Sequence, residues 1–482
     1  DPLAAQATTL QGLIAAAANT KFGRAHGFAA IRSVRDYRAA VPLRNWDRMW
    51  NEWWQPAFPV LDNVSWPGRI PFFAETSGTT ASRAKHIPVS RQMVRANRRA
   101  GLDLILGHVR CCPGSRIFGG PSLVLGGSSR LTRLAGGARS GDLSGIAAST
   151  MPAWTRGRAL PSRRVALLGD WDEKLDRIVR DTTRRDLRSI AGTPSWLLLL
   201  FERLLAASGR ETLRALYPNL ELVVHGGVGF GPYRSRFAQL LGPSVRTAEV
   251  YPASEGFVAV DDGAADGTLR LLLDNGLFHE FVPVDELDKP EPTRHWIGNA
   301  EIGRDYALVL TTNAGLFAYV LGDTVMLTSR NPARLRVTGR TAQMLSAFGE
   351  HVSAGELDRA VEAAARDAGV AVTDYTAAPV HPDEADARGG HLLVIECAGL
   401  PPADIAAFVQ VFEATLESGN DDYAAHRAGG RGLRSTSVRV VPSGRFAAWM
   451  RERGRLGGQN KVPRVINDPS LLATLIEERE GQ

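Results

Sequence analysis

With 482 residues the chain is too long for one small core, and two or three structural units of about 100–200 residues are expected. A hydrophobic share of 44% beside a charged share of 22% fits a chain that buries a core and argues against disorder. The net charge of +6 comes from scattered arginines, and RDTTRRDLRS alternates in sign, so a solvated surface is expected rather than a nucleic-acid stripe.

The first 65 residues read as helical, with Trp46, Trp50, Trp53 and Trp54 clustered for packing. From residue 70 short apolar runs alternate with helical patterns. RIPFFAET precedes SRQMVRANRRAGLDLILGHV, and NLELVVHGG precedes YRSRFAQLLG, the mark of an α/β sheet with crossover helices. SWLLLLFERLLAA, interrupted by Glu202 and Arg203, reads as a buried amphipathic helix, and no run approaches the roughly 18 apolar residues of a membrane span. Between 256 and 340 strands follow one another, with DNG and NAG as hairpin turns, giving a β-rich subdomain. Ser353 and Glu356 then form a capping box for a helix ending near Gly369. Strand, helix and strand patterns follow. The expected fold class is α/β, with a large unit over 1–343 and a small α+β cap over 344–482.

Cys111, Cys112 and Cys397 make neither a CxxC pair nor a disulfide framework, and the ten histidines include no HExxH. A reducing, cytoplasmic setting without a structural metal is expected. The N-terminus lacks the basic region of a signal peptide. No membrane or nucleic-acid partner is expected.

Five stretches carry candidate chemistry, one of them VTGRTAQML at the domain boundary. In TSGTTASRAK, Gly78 permits close backbone approach, Ser77, Thr79 and Thr80 supply hydroxyl donors, and Lys85 supplies a charge, as an oligophosphate requires. The spacing is not that of a Walker A loop, and the same cluster also reads as an ordinary turn. In AEVYPASEG, Tyr251 ends a strand where a base could stack, with Ser254 beside it, and Glu255 could hold Mg²⁺; a capped turn with a solvated Glu is the alternative. Asp323 in YVLGD could take both hydroxyls of a ribose, or simply belong to a turn. Lys461 lies in the glycine-rich GGQNKVPR.

In this order, with DYRAAVPLRNWDRMW and GRTAQMLSAFGEHVSAGELDRAV, the stretches resemble the adenylate-forming superfamily, and within it the acyl acid amido synthetases that conjugate auxins and jasmonates. The resemblance covers most of the chain. It implies an adenylation domain over 1–343 and a cap over 344–482 that rotates between two half-reactions. It implies that ATP with Mg²⁺ activates a small carboxylic acid as its adenylate, and that an amine, usually an amino acid, displaces AMP to form an amide. Ser77, Gly78, Thr79 and Thr80 would then cradle phosphates, with Lys85 and Ser254 also at the nucleotide. Tyr251 would lie on the adenine and Glu255 near the metal. Asp323 and Arg340 would grip the ribose, and Gly226 and Gly227 of HGGVG would skirt the base. Lys461 would bridge the carboxylate and α-phosphate, and His225 would border the acyl-acid pocket, unless it is a packed strand-end histidine.

Pro252 and Ala253 stand where the family often has small polar residues, and Gln343 stands near a hinge position that is often acidic. Nothing in the sequence names the acyl acid or the nucleophile. A ligase using coenzyme A or another nitrogen nucleophile shares every motif, and a non-catalytic nucleotide-binding protein would share most of them.

Overall fold

The structure, a computed structural model, describes residues 1–76, 85–126, 131–152, 155, 157–168, 170–227, 230–264, 266–287, 289–341, 344–345, 352–380, 389–398, 401, 404–420, 423–424, 427, 433–456 and 461–476. Ser77, Gly78, Thr79, Thr80 and Gln343 therefore lie outside the described residues, as does the side chain of Arg340.

The N-terminal stretch is helical as expected, beginning with Pro2–Ala17 capped by Asp1. Its tryptophans serve packing: Trp46 stacks on Trp50 at 5.2 Å, and Trp54 is fully buried with its indole N–H donated to Ser65.

In chain order the strands are β1 (Phe72–Thr76), β2 (Lys85–Val89), β3 (Ser122–Leu125), β4 (Thr132–Arg133), β5 (Arg139–Gly141) and β6 (Ala159–Leu160). Then come β7 (Ser189–Gly192), β8 (Leu222–Gly226), β9 (Arg246–Ala253), β10 (Gly256–Val260) and β11 (Leu269–Leu271). The next are β12 (Leu277–Pro283), β13 (His295–Trp296), β14 (Asp305–Thr312), β15 (Tyr319–Arg330) and β16 (Ala333–Arg340). The C-terminal part holds β17 (Met344–Leu345), β18 (Val352–Ser353), β19 (Ala371–Val380), β20 (Gly390–Ala398) and β21 (Ser437–Val441).

One sheet runs through the large domain in the order β13-β12-β14-β15-β16-β11-β10-β9-β8-β7-β3-β6. From β6 to β9 neighbouring strands are parallel; from β9 to β13 they are antiparallel. The β-rich stretch is thus no separate sheet. It continues the parallel one through the turn between β9 and β10.

The parallel half is buried by helices, among them Trp171–Thr182, Pro194–Ser208 and Arg234–Leu241, whose Leu197, Phe201 and Phe237 pack on Leu123, Ile190 and Val223. This matches the rule that parallel strands are covered on their faces. The NAG turn joins paired strands β14 and β15, with Gly315 at φ +88°. The DNG turn is a correction: it leads from β11 to β12, which are not neighbours, so it makes no hairpin. Turn chemistry specifies a local reversal, whereas β11 finds its partners in β10 and β16 through side-chain packing.

The smaller domain is α+β. The capping box is present, with Ser353 Oγ accepting from the Glu356 N–H and Glu356 accepting from the Ser353 N–H, at the start of helix Ala354–Asp367. That helix and Ile405–Gly419 cover a sheet ordered β19-β20-β21. Two apolar clusters, around Leu357, Phe412 and Ile395 and around Trp449 and Val394, are drawn from residues 345 onward, so this domain carries its own core.

Candidate active site

The parallel strands β8 and β9 end at the same edge of the sheet, where ligands of open α/β folds bind. Gly226 closes β8. A Cβ there would meet the Val250 carbonyl oxygen at 2.3 Å, so only glycine permits the strands to approach this closely. Gly227 follows at φ +89°, turning its carbonyl toward the smaller domain. Lys461 Nζ donates to that oxygen at 2.5 Å. A lysine 234 residues away in sequence thus reaches the strand-end turn.

Tyr251, on β9, is buried and donates its hydroxyl to Asp323 Oδ2 at 2.6 Å. Asp323 is itself buried, on β15, opposite Arg340 in the β15–β16 register. Glu255, in the turn after β9, is buried, and its carboxylate acts electrostatically on the hydroxyl of Tyr319 at the start of β15. Burial first, then the Glu255 charge, hold the Tyr319 hydroxyl well above the usual tyrosine range. The two pairs are reciprocal: each of two chain segments gives one tyrosine and one carboxylate. Ser254 lies half-buried in the same turn.

His225 is buried and stacked on Phe230 with ring centroids 3.6 Å apart. Burial, reinforced by the Arg234 charge, pushes its imidazole down to about 3, so it is neutral at physiological pH. Glu249 pairs with His225 in the β8–β9 register. Burial outweighs the opposing Arg234 charge and pushes its carboxyl up to about 7. Lys85 opens β2 with its ammonium over the Trp46 ring, 5.7 Å from the centroid.

The structure thus brings together Gly226, Gly227, Lys461, Tyr251, Asp323 and the turn carrying Glu255. Tyr319 was missed by reading the sequence, although it stands four residues before Asp323 on the same strand. Glu249 was also missed, and its neighbour in space, His225, is 24 residues away.

Among the described residues no group of three or more His, Cys, Asp and Glu could hold a metal ion. Mg²⁺ does not require one, since it commonly takes one or two carboxylates with substrate phosphates and water. The buried Glu255 carboxylate fits that donor set. No helix among the described residues is long and apolar enough to cross a membrane.

Known proteins align with this geometry. Models of the GH3 family N-terminal, central and C-terminal domains match residues 1–107, 270–340 and 355–470, together well over half of the chain. The chain is similar to an indole-3-acetic acid-amido synthetase, GH3.8, of Oryza sativa subsp. indica, at 29% identity over 220 residues, which is 42% of this chain and 36% of that protein. It spans about a third to a half of the length of the curated relatives it matches. Among solved structures, the GH3.15 acyl acid amido synthetase superposes with a TM-score of 0.77 at 17% identity, covering 98% of this chain and 92% of that one. A 2-hydroxyisobutyryl-CoA ligase in its postadenylation state superposes at 0.64, also at 17% identity, covering 97% and 90%. These likenesses establish the two-domain fold, and the three matching domain models in their order establish that the chain belongs to the GH3 family.

Proposed function

We propose that this protein is an ATP-dependent ligase that adenylates a small carboxylic acid and transfers the acyl group to an amine, an amino acid in the first instance, releasing AMP and pyrophosphate. The observation that carries this reading is Lys461, whose ammonium spans the domain seam to the Gly227 carbonyl at the strand-end turn. A binding module has no need of such a cation.

In the first half-reaction the acid's carboxylate oxygen attacks the α-phosphorus of ATP and the bond to pyrophosphate breaks. Two anions approach one another, so charge must be neutralised where they meet. Lys461 is the residue for that place. Tyr251 flanks the base, Asp323 with Arg340 holds the ribose, and Gly226 and Gly227 leave room beside the adenine. Ser254 faces the nucleotide from the turn. Ser77, Gly78, Thr79, Thr80 and Lys85 take the phosphates. Glu255 would hold Mg²⁺, which draws charge toward the departing pyrophosphate when bound. His225, neutral and stacked on Phe230, would serve the acyl pocket as a wall and not as a base. In the second half-reaction the neutral amine attacks the acyl carbonyl carbon, AMP leaves with the carbon–oxygen bond electrons, and the nitrogen gives up one proton to solvent.

On this reading residues 1–343 form the adenylation domain, residues 344–482 rotate as a body about a pivot near Gln343, and the enzyme acts in the cytoplasm. The deciding experiment is acid-dependent pyrophosphate release across a panel of carboxylic acids, followed by a chase of the adenylate with amino acids or coenzyme A. Acid-dependent release followed by amide formation supports the reading. Release followed by thioester alone replaces the amine with coenzyme A, and absence of release with every acid removes the ligase.

A further inference from the structure

Beyond the Lys461 contact, the seam between the domains contains a buried polar knot that the reaction as described leaves unused. Tyr233 ends the short turn Gly231–Tyr233 of the large domain and is 1% exposed. Its hydroxyl donates to Asp374 Oδ1 at 3.2 Å and accepts from Arg464 Nη2 at 3.0 Å. Asp374 is on β19 of the smaller domain, and Arg464 lies three residues after Lys461. Arg464 is itself buried and donates through Nη1 to Asp374 at 2.7 Å and to the Tyr375 carbonyl at 2.9 Å. Asp358 faces its Nε at 3.4 Å, and the guanidinium lies over the Tyr375 ring, 4.3 Å from the centroid.

The backbone between Lys461 and Arg464 is tied down too. Thr376 Oγ1 donates to the Pro463 carbonyl, the Ala377 N–H to the Arg464 carbonyl, and the Ile466 N–H to the Ala377 carbonyl. The segment is therefore bridged to β19, Val465 pairing in parallel with Ala377, and wherever Arg464 is held, the root of Lys461 is held as well.

We infer that Tyr233, Asp374 and Arg464 form a releasable latch across the seam, which positions Lys461 for adenylate formation and must open before acyl transfer. The inference rests on the ligase reading above. Its physical basis is an asymmetry in what opening breaks. The charged groups Arg464, Asp374 and Asp358 all belong to the smaller domain and stay paired when it moves. Only the neutral Tyr233 hydroxyl stays behind, and water replaces its partners. A buried ion pair split between domains would leave an uncompensated charge on opening, which is far more costly. Here the separable contact is a pair of hydrogen bonds to a neutral group, with the guanidinium 5.8 Å from the Tyr233 ring centroid, strong enough to orient and weak enough to release. Tyr233 and Arg464 are accordingly positioning residues, acting through Lys461.

The test compares the two half-reactions and the seam itself in Tyr233→Phe, which keeps the ring and removes the hydroxyl. Acid-dependent ATP–pyrophosphate exchange should fall about tenfold or more, since the variant removes two buried hydrogen bonds to charged groups. Aminolysis of preformed acyl-adenylate should keep its rate or rise. Amide hydrogen exchange over residues 230–237 should increase, since the smaller domain covers them less of the time. Arg464→Lys keeps the charge but not the fork that spans Asp374, Asp358 and Tyr233, and should shift the ratio of half-reactions the same way. An unchanged ratio in both variants overturns the latch, and so does an equal loss in both half-reactions with wild-type hydrogen exchange. Should the wild type release no pyrophosphate with any acid, the ligase reading fails instead. Hydrogen exchange at the seam then decides alone: an increase in Tyr233→Phe keeps the latch as a domain contact, and no change removes it.

Discussion

Tyr251 and Asp323 sit within one continuous sheet and Glu255 in a turn between two of its strands, whereas Lys461 reaches the neighbouring turn from a domain with a core of its own. In the first region Asp323 receives the buried Tyr251 hydroxyl, and the Glu255 charge acts on the buried Tyr319, both from within the same domain. In the second, polar contacts across the seam among the described residues include Lys461 to a carbonyl, Tyr233 to Asp374 and Arg464, and ion pairs between Arg451 and Asp172 and between Arg234 and Glu362. The difference suits two demands. On the proposed ligase reading, a nucleotide must be gripped through both half-reactions, so its site is built into one domain. On the same reading, a lysine needed for only one of them is supplied by contacts that separate cheaply.

The largest expected effect breaks the comparison on the seam side. Lys461→Ala should lower adenylate formation about a hundred- to a thousand-fold, as loss of a transition-state charge contact does, while ATP binding measured by calorimetry stays near wild type. Unchanged pyrophosphate release at saturating substrate would take Lys461 out of the mechanism.

Next comes the single-domain region. Asp323→Ala leaves the Tyr251 hydroxyl buried without its acceptor and should destabilise the fold by about 1–3 kcal/mol. It should also weaken ATP and AMP about tenfold or more while leaving pyrophosphate binding alone. Equal loss of affinity for ATP and 2′,3′-dideoxy-ATP would detach Asp323 from the ribose.

Acid dependence separates two register partners in the strand-end region. His225 takes a proton at about 3 when folded against 6.5 when unfolded, so the unfolded chain binds more protons between those values. Its contribution to stability is present above 6.5 and is lost as pH falls toward 3. Glu249 does the opposite: raised from 4.5 to about 7, it contributes stability below 4.5 that is lost as pH rises through 7. Urea midpoints at pH 5 and pH 7 should reveal both. His225→Phe should raise stability at pH 5 relative to pH 7, and Glu249→Gln should lower it. Shifts of the same sign in both variants would contradict the burial that sets the two groups apart.

The smallest effect tests how loosely the seam is held. Arg451 and Asp172 pair at 3.1 Å with side chains 51% and 40% exposed, a setting in which an ion pair contributes about 0–1 kcal/mol. Asp172→Ala should change the ratio of half-reactions by no more than about fivefold, and 0.5 M salt should abolish even that. A large effect would mean that the rim, not the buried knot, holds the domains together.

Local chemistry made much of this legible in advance. The capping box at Ser353, the buried helix over Pro194–Ser208 and the α+β character of the smaller domain follow from nearest neighbours and periodicity, and all three appear in the structure. The motifs containing Tyr251, Glu255, Asp323 and Lys461 could be recognised in order. Their partners could not, because Tyr319, Tyr233 and Glu249 are tyrosines and a glutamate in unremarkable strands and turns.

By itself the sequence determined which segments are helix or strand and which residue types are available for binding a nucleotide, since propensity and spacing act over a few residues. Only the tertiary structure decided that the antiparallel strands extend the parallel sheet, that β11 avoids β12, and that Tyr251 meets Asp323. It likewise decided that Arg464 anchors the lysine segment against a tyrosine 231 residues away. Those outcomes depend on side chains distant in the chain burying one another, and short-range patterns carry no record of which distant surface a strand or cation will meet.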